Sequence, residues 1–185
     1  NYYNGKISSS KIFNTALTQD QVRELYTKPE TVLPTGVSAS NLKLDLPMQE
    51  GSGSYIYDGS GNQNHGTISG ATWVSGEEYG YQASLVRSNT PIFFDGSDDF
   101  VSCGNIGIRS YPFTYSAWFR TNGTTKNTIC ALCDADQNVV FYQFLIADTG
   151  VARINARNTA DDFCDSSGTY NDGKWHHGVA VFASA

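Results

Sequence analysis

Oxygen-bearing side chains recur at alternate positions in one glycine-rich stretch, Asp58-Gly59-Ser60-Gly61-Asn62-Gln63-Asn64. Short loops that wrap a hard cation such as calcium arrange carboxylate, hydroxyl and amide oxygens in this way, with glycines allowing the sharp turns. Asp58, Asn62 and Asn64 are therefore candidate ligands of a structural Ca2+. The same string also fits a turn in which Asx side chains bind neighbouring backbone groups without a metal. Both alternatives remain open at this point.

A second oxygen-rich string, Asp134-Ala135-Asp136-Gln137-Asn138, matches the opening of an EF-hand calcium loop. The match fails at the sixth position, where Val139 replaces the glycine of the sharp turn, and at the twelfth, where Leu145 replaces a bidentate glutamate. We interpret this string as a hairpin turn. We expect any calcium to bind at the Asp58 loop instead.

The four cysteines are Cys103, Cys130, Cys133 and Cys164, an even set that permits three pairings. Cys130 and Cys133 form a C-x-x-C motif, but the other two lie singly and far apart, which disfavours a zinc site or a thiol-exchange centre. Three residues apart on a strand, Cys130 and Cys133 face opposite sides of a sheet. We predict that one of them pairs with Cys164 if the compartment is oxidising. Cys103 is expected to be a buried thiol or to join the cysteine left over.

The chain has 185 residues, of which 39% are hydrophobic, 13% aromatic and only 16% charged. This aromatic content supplies a hydrophobic core and excludes disorder, while the scarcity of good helix formers excludes a coiled coil and disfavours a helical bundle. The formal net charge is -6, and the Lys and Arg residues are scattered singly, so nucleic acid and anionic membranes are disfavoured as partners. No apolar run is long enough for membrane insertion.

One helix is predicted, from Leu17 to Lys28, because Thr18 and Gln21 have the spacing of a capping box and Pro29 ends the segment. Residues 31–41 carry Pro, Gly and small hydroxyl residues without periodicity, which predicts a linker or a long connection.

Beyond residue 41 apolar and polar residues alternate, and short strand candidates are separated by turns rich in Asp, Asn and Gly. The pattern predicts an all-β fold, a two-sheet antiparallel jelly-roll sandwich. The positions predicted to face its core include Leu42, Leu44, Phe93, Val101, Phe113, Tyr115, Ala117, Phe119, Val179 and Val181.

Three stretches, in order, resemble the laminin G-like members of the concanavalin A-like lectin and glucanase jelly rolls. LDLPMQEGSGSYIYDGSGNQNHGTISGATWV, at residues 44–74, is similar to the amino-terminal signature of that family. IFFDGSDDFVSCGN, at residues 92–105, resembles the hairpin that follows it. NDGKWHHGVAVF, at residues 171–182, is similar to a later strand that opens on Asp-Gly-Lys-Trp-His.

A fourth stretch is out of order. GKISSSKIFNTALTQDQVRELY, at residues 5–26, resembles the carboxyl-terminal strand and helix of the family, yet it precedes the amino-terminal signature. We therefore expect residues 1–30 to be the tail of one laminin G-like domain, residues 31–41 a linker, and residues 42–185 the first two thirds of the next. A circular permutant is the alternative, because first and last strands of such a domain lie close together.

The resemblance bears on the metal and on catalysis. In this family the counterpart of the Asp58 loop often helps to hold a structural calcium with an acidic residue of the terminal strand, where this chain has Ser8 and Ser9. The family also includes glycoside hydrolases, which need two carboxyl groups about 5 to 10 Å apart. The five glutamates of the chain show no such arrangement, so no catalytic residue is assigned and an enzyme is the less favoured alternative.

His176 and His177 follow Trp175 on a predicted strand, so their rings point to opposite faces and cannot clamp one metal ion from one face. The resemblance implies that Trp175 and one of the two histidines are buried, hydrogen-bonded markers of the fold.

The function implied is that of a non-catalytic extracellular adhesion or surface-array protein, built from laminin G-like modules and able to bind glycans. The alternatives are a carbohydrate-binding module of a polysaccharide-degrading enzyme and a virion-surface structural protein. The expected partners are neighbouring copies or domains of the same protein and glycans, and the expected location is extracellular, at a cell or virion surface. Exposed aromatic rings around a groove would favour glycan binding, whereas apolar patches at strand edges would favour assembly.

Overall fold

The computed structural model describes residues 2–74, 90–133, 141–157 and 161–183. Among these described residues strands account for 47% and helices for 8%, which confirms the prediction of a mostly β fold. None of the helices in these ranges is long and apolar enough to cross a membrane. The elements in chain order are β1 (Asn4–Phe13), α1 (Gln19–Thr27), a 3-10 turn (Ala39–Asn41), β2 (Leu42–Leu46), β3 (Tyr55–Ile56), β4 (Gly66–Ser69), β5 (Thr72–Trp73), β6 (Ile92–Asp95), β7 (Phe100–Ser102), β8 (Phe113–Arg120), β9 (Asn127–Cys133), β10 (Phe141–Ile146), β11 (Val151–Arg157), β12 (Asp161–Thr169) and β13 (Trp175–Phe182).

The strands form three antiparallel sheets. The large sheet has the order β13-β8-β1-β6-β5, with β2 also paired to β1, the four-stranded sheet has the order β12-β11-β10-β9, and the small sheet has the order β3-β4-β7. Aromatic rings join the large and four-stranded sheets face to face: Phe113 lies 4.9 Å from Tyr142, and Tyr115 lies 5.9 Å from Phe144, centroid to centroid. The two-sheet sandwich predicted from the sequence is therefore present.

Strand β1 lies in the middle of the large sheet. It pairs with β8 along one edge, and along the other with β6 through its first half and β2 through its second. The amino-terminal segment thus completes a sheet of its own chain, and the assignment of residues 1–30 to the tail of one domain and 42–185 to the start of the next stays a prediction. Residues 1–30 and 42–185 do not form separate bodies here, because β1 is hydrogen-bonded on both edges to strands of the later segment.

Helix α1 begins at the predicted capping box: the Thr18 N–H donates to Gln21 Oε1 at 2.9 Å, and the Gln21 N–H donates to Thr18 Oγ1 at 3.4 Å. Its Leu25 packs with Phe13, Leu17 and Leu42 in a second hydrophobic cluster on the outer face of the large sheet.

The stretch 31–41, expected to be a linker or a long connection, is part of the folded body. Val32, Leu33 and Val37 pack against the second hydrophobic cluster. Glu24 of the helix accepts hydrogen bonds from the N–H and the hydroxyl of Thr35, at 2.8 and 3.2 Å. Of the two alternatives, the packed stretch matches a long connection, because absence of periodicity indicates an irregular backbone and says nothing about packing.

Six of the predicted core positions are buried, namely Leu42, Leu44, Phe113, Tyr115, Ala117 and Phe119. Leu42 belongs to the cluster beneath the helix and the others to the main core. Val101 is half-buried and packs against the main core.

The sequence predicted the wrong inward-facing residues on β6 and β13, where the face that points into the core is shifted by one residue. Phe93, Val179 and Val181 are half-buried on the outer face, and the inward positions are Ile92, Phe94, Ala180 and Phe182. Both strands have apolar residues on both faces, so alternation gives no signal there. The pairing with β8 determines which face of β13 points into the core: Phe182 lies opposite Phe113, with ring centroids 4.3 Å apart.

A charged pair is buried on the outer face of the large sheet. Lys11 of β1 lies opposite Asp45 of β2, with 2.5 Å between Lys11 Nζ and Asp45 Oδ1, and the two side chains are only 8% and 4% exposed. A buried ion that loses its partner keeps its desolvation penalty, whereas an apolar pair of similar volume carries none.

We predict that Asp45→Ala lowers the free energy of unfolding by about 3–5 kcal/mol, because Lys11 is left buried without its partner. The double variant Lys11→Met with Asp45→Leu should recover most of this loss. Urea unfolding followed by circular dichroism measures both. A loss below about 1 kcal/mol in the single variant, within the range of exposed pairs, would contradict burial of this pair in solution.

Candidate functional site

The Asp58 carboxylate points towards β2 and accepts four hydrogen bonds. Its Oδ1 accepts from the N–H groups of Asp45 and Ser60, both at 2.9 Å, and its Oδ2 accepts from the Ser60 hydroxyl at 2.7 Å and the Asn64 N–H at 2.9 Å. An ionised carboxylate offers about four lone-pair sites, so the protein already occupies them.

The other two predicted ligands also bind the backbone of β2. The Asn62 side-chain amide donates to the Leu42 carbonyl at 2.8 Å, and that of Asn64 donates to the Lys43 carbonyl at 2.9 Å. The structure thus brings Asp58, Asn62 and Asn64 together as the turn alternative describes. Their donor set does not fit a cation in this geometry, and the calcium site stays a prediction.

The hydrogen bonds of Asp58 affect its ionisation. Burial alone would raise the pKa of this carboxyl, but the hydrogen bonds from Asp45, Ser60 and Asn64 outweigh burial and hold the pKa below its usual value. A carboxyl with a lowered folded pKa stabilises the protein above its unfolded pKa, and this stabilisation is lost as the pH falls through the folded pKa.

We predict that Asp58→Ala lowers the free energy of unfolding by about 1–3 kcal/mol at pH 7, since one buried and three part-buried donors lose their acceptor. The difference from the unchanged protein should shrink as the pH falls below about 4, where the carboxyl of the unfolded chain is protonated. Urea unfolding at pH 7, 5 and 3 measures it.

Calcium added to the metal-free protein should leave the melting temperature unchanged if the turn alternative holds. A rise that Asp58→Ala abolishes and Asp136→Ala preserves would establish the calcium site instead. A rise abolished only by Asp136→Ala would place calcium at residues 134–138, which lie outside the described residues.

Sequence reasoning missed a cluster of three carboxylates at the turn between β6 and β7. Ligand oxygens of Asp95, Asp98 and Asp99 lie within 4.8 Å of one another. Asp99 Oδ2 accepts from the Asp95 N–H at 2.8 Å, and Asp95 Oδ1 accepts from the Ser97 N–H at 2.7 Å. These bonds account for the cluster as the support of a tight turn between strands of two different sheets, although its D-x-x-D-D spacing was visible in the sequence.

The two histidines of β13 lie on opposite faces, as predicted. His177 faces helix α1, where its Nε2 lies 2.9 Å from Ser116 Oγ and its ring packs 5.1 Å from Trp118 and 6.0 Å from Tyr26. Burial, followed by the nearby Lys11 charge, lowers the pKa of His177 to about 4. His177 is therefore a half-buried, hydrogen-bonded histidine, and its role as a marker of the fold stays a prediction.

We predict that His177 makes stability depend on pH between about 4 and 6.5, its folded and ordinary pKa values. In this window the unfolded chain binds more protons than the folded one, so stability falls by at most about 1.4 kcal/mol per pH unit as the pH is lowered. His177→Gln should remove this slope while keeping a polar partner for Ser116. Urea unfolding from pH 4 to 7 tests it, and an unchanged slope in the variant would assign the pH dependence elsewhere.

The predicted disulfides to Cys164 are incompatible with the strand order. Cys130 of β9, Phe144 of β10, Ile154 of β11 and Cys164 of β12 lie in one row across the four-stranded sheet. Three strand spacings separate Cys130 from Cys164, roughly 14 Å, whereas a disulfide needs Cα atoms within about 7 Å. Cys133 lies on the same outer strand as Cys130, so it is equally remote. All four cysteines are free thiols, and Cys103 is half-buried.

The outer face of the small sheet is exposed and carries aromatic rings among hydroxyl groups. Tyr55, Thr67 and Ser102 form one row across the sheet, and Ser69 and Phe100 form the next. Tyr55 is 53% exposed and Phe100 49% exposed. The opposite face of the same strands packs into the main core.

Two further rings extend this surface. Tyr57 follows β3 on the same face, 60% exposed, and its ring meets that of the exposed His65 edge to face at 5.3 Å. We define the aromatic face as Tyr55, Tyr57, His65, Thr67, Ser69, Phe100 and Ser102.

A cleft of about 650 Å3 opens beside Phe100, between residues 100–109 and strand β9. Asn105, Arg109 and Tyr142 contribute polar groups to its lining, and Leu132 contributes an apolar wall. Its volume lies within the range of about 300–1,000 Å3 of small-molecule sites. The aromatic face and this cleft meet at Phe100 and together form the candidate binding surface.

Comparison with known proteins adds a family match. Residues 95–185, from the end of β6 to the end of the chain, match a laminin G model described as the concanavalin A-like lectin/glucanases superfamily. No curated protein and no solved structure matches the chain. The matched range includes β7 and β13, which belong to two of the stretches on which the resemblance was based.

Proposed function

We propose that this chain, whose residues 95–185 belong to the concanavalin A-like lectin/glucanases superfamily, is a non-catalytic adhesion module that binds neutral glycans on its aromatic face. The domain type supports a lectin-like or adhesion-type module. The observation that carries the glycan proposal is the exposure of Tyr55 and Phe100 on one sheet face, with hydroxyl groups between them.

The aromatic face matches the chemistry of a sugar. A pyranose presents an apolar C–H face that packs on an aromatic ring, and a rim of hydroxyls that exchange hydrogen bonds with side chains. Thr67, Ser69 and Ser102 supply such groups between the rings. Two strand spacings, roughly 10 Å, separate the strand of Tyr55 from that of Phe100, so successive units of one glycan could stack on the two rings.

The charge of the chain narrows the ligand class. With a net charge of -6 the protein repels sulfated and uronic acid-rich glycans at long range, which favours neutral saccharides. The proposed location is extracellular, at a cell or virion surface, where an adhesion module meets glycans. Neighbouring copies or domains of the same protein are the second proposed class of partner.

The non-catalytic part of the proposal rests on the family and on the acidic groups. Laminin G-like domains are generally non-catalytic, although the superfamily includes glycosidases. The carboxylates that come together among the described residues, Asp95, Asp98 and Asp99, lie at the turn between β6 and β7, and two of them accept hydrogen bonds from its backbone. A glycosidase would release reducing ends from neutral polysaccharides, which a reducing-sugar assay detects.

We predict that Tyr55→Ala and Phe100→Ala each weaken glycan binding about tenfold, equivalent to about 1.4 kcal/mol, because each removes one stacking ring. A neutral-glycan array identifies a ligand, and isothermal titration then measures its affinity for each variant. Phe163→Ala is the matched control, because Phe163 is 59% exposed but lies on β12, away from the aromatic face.

Equal losses in all three variants, or binding unaffected by Tyr55→Ala and Phe100→Ala, would contradict a site on the aromatic face. No binding to any neutral glycan, together with a defined oligomer by light scattering, would favour the structural assembly alternative.

A further inference from the structure

A cavity of about 340 Å3 lies inside the sandwich, between the large and four-stranded sheets. Its walls are apolar, with Ile12 and Leu44 on one side and Leu132 on the other. Two thiols, Cys103 and Cys130, line the same space. Both pack against the main core and both are half-buried.

The two thiols come from different parts of the fold, one from a strand of the four-stranded sheet and the other from the residue that follows β7 of the small sheet. Cys130 lies on β9 in the row of Phe144, which is buried in the main core, so its side chain faces the interior. Cys103 follows β7 two residues after Val101 and contacts the same core. They lie near enough for the charge of Cys103 to affect the ionisation of Cys130.

We propose that Cys103 and Cys130 are a redox-sensitive pair that closes into a disulfide across this cavity, joining the small sheet to the four-stranded sheet. The oxidant is a small-molecule disulfide of the glutathione type. In the first step a protein thiol loses its proton, its sulfur attacks the small disulfide, and one small thiol leaves. In the second step the other protein sulfur displaces the remaining small thiol. One disulfide is reduced to two thiols, and two protein thiols are oxidised to one disulfide.

Access decides which cysteine reacts first. Cys103 lines both the interior cavity and the open 650 Å3 cleft, whereas Cys130 lines the interior cavity and is absent from the lining of the cleft. Burial raises the pKa of Cys103 to about 11, and it raises that of Cys130 as well. Cys103 is therefore the cysteine that meets the oxidant, and Cys130 is the one that resolves the mixed disulfide.

Cys133 is the competing partner, because it lines the open cleft together with Cys103. It is exposed, and it is absent from the residues that pack against the main core in the described part of the chain. Cys130 shares both the core contacts and the interior cavity with Cys103, which makes it the favoured partner.

The experiment is oxidation of the purified chain with oxidised glutathione, followed by trypsin digestion without reduction and mass spectrometry. Cleavage after Arg109, Arg120 and Lys126 separates Cys103 from Cys130 but leaves Cys130 and Cys133 on one peptide. The variants Cys130→Ser and Cys133→Ser therefore show which of the two cysteines forms the disulfide with Cys103. We expect the crosslink between peptides 88–109 and 127–153 in the unchanged protein, in Cys133→Ser and in the control Cys164→Ser, and its loss in Cys130→Ser.

The rate gives a second readout. Thiolate, and not thiol, is the nucleophile, so closure should accelerate about tenfold per pH unit between pH 7 and 9, below the pKa of Cys103. A crosslink that survives Cys130→Ser but disappears in Cys133→Ser would overturn the assignment. Mixed disulfides alone, with no crosslink in the unchanged protein, would overturn the proposal without depending on the folding of any variant.

Discussion

Strand β1 is hydrogen-bonded along both edges, and the rest of the sandwich depends on it. Its pairing with β8 and β2 places Ile12 in the main core and Phe13 beneath the helix, so one strand serves both hydrophobic clusters. Lys11 fixes Asp45 on β2, and the N–H of Asp45 in turn binds Asp58. The loop before the small sheet is thus positioned from the centre of the large one.

Both faces of the large sheet are covered, and this affects the polar side chains that lie on it. A sheet with one wet face can leave polar side chains in water, but helix α1 and the stretch after it remove that option here. The groups on the covered face therefore pair with one another: Lys11 with Asp45, and His177 with Ser116. Each pair occupies facing strands, so these contacts also resist slippage of the strand register.

Sequence patterns within a single segment correctly predicted the structure of that segment. The Thr18 and Gln21 capping box located the helix, and strict alternation located the inward face of β8. Alternation failed on β13 because both of its faces are partly buried. It also failed to indicate β12, whose sequence DDFCDSSGT is polar and which lies at an edge of its sheet.

Features that depend on strand order could not be predicted from spacing. The sequence predicted that Cys130 and Cys164 lie on adjacent strands, but the sheet order places two strands between them. Likewise, Cys103 and Cys130 share a cavity only because the small sheet packs on the main core. The turn at Asp58 was one of two open alternatives, and the direction of its carboxylate, towards β2, matches the turn, while calcium binding stays a prediction.

The aromatic face was invisible in the sequence for the same reason, since Tyr55 and Phe100 lie on strands of two and three residues that are joined through β4. Packing does not require rings at these positions, because Ile56 and Val101 already supply the inward face of the same strands. An exposed aromatic ring forgoes the free energy that burial would contribute, and polar residues at those positions would satisfy the fold equally well. The fold therefore does not account for Tyr55 and Phe100, whereas the ligand that we propose would.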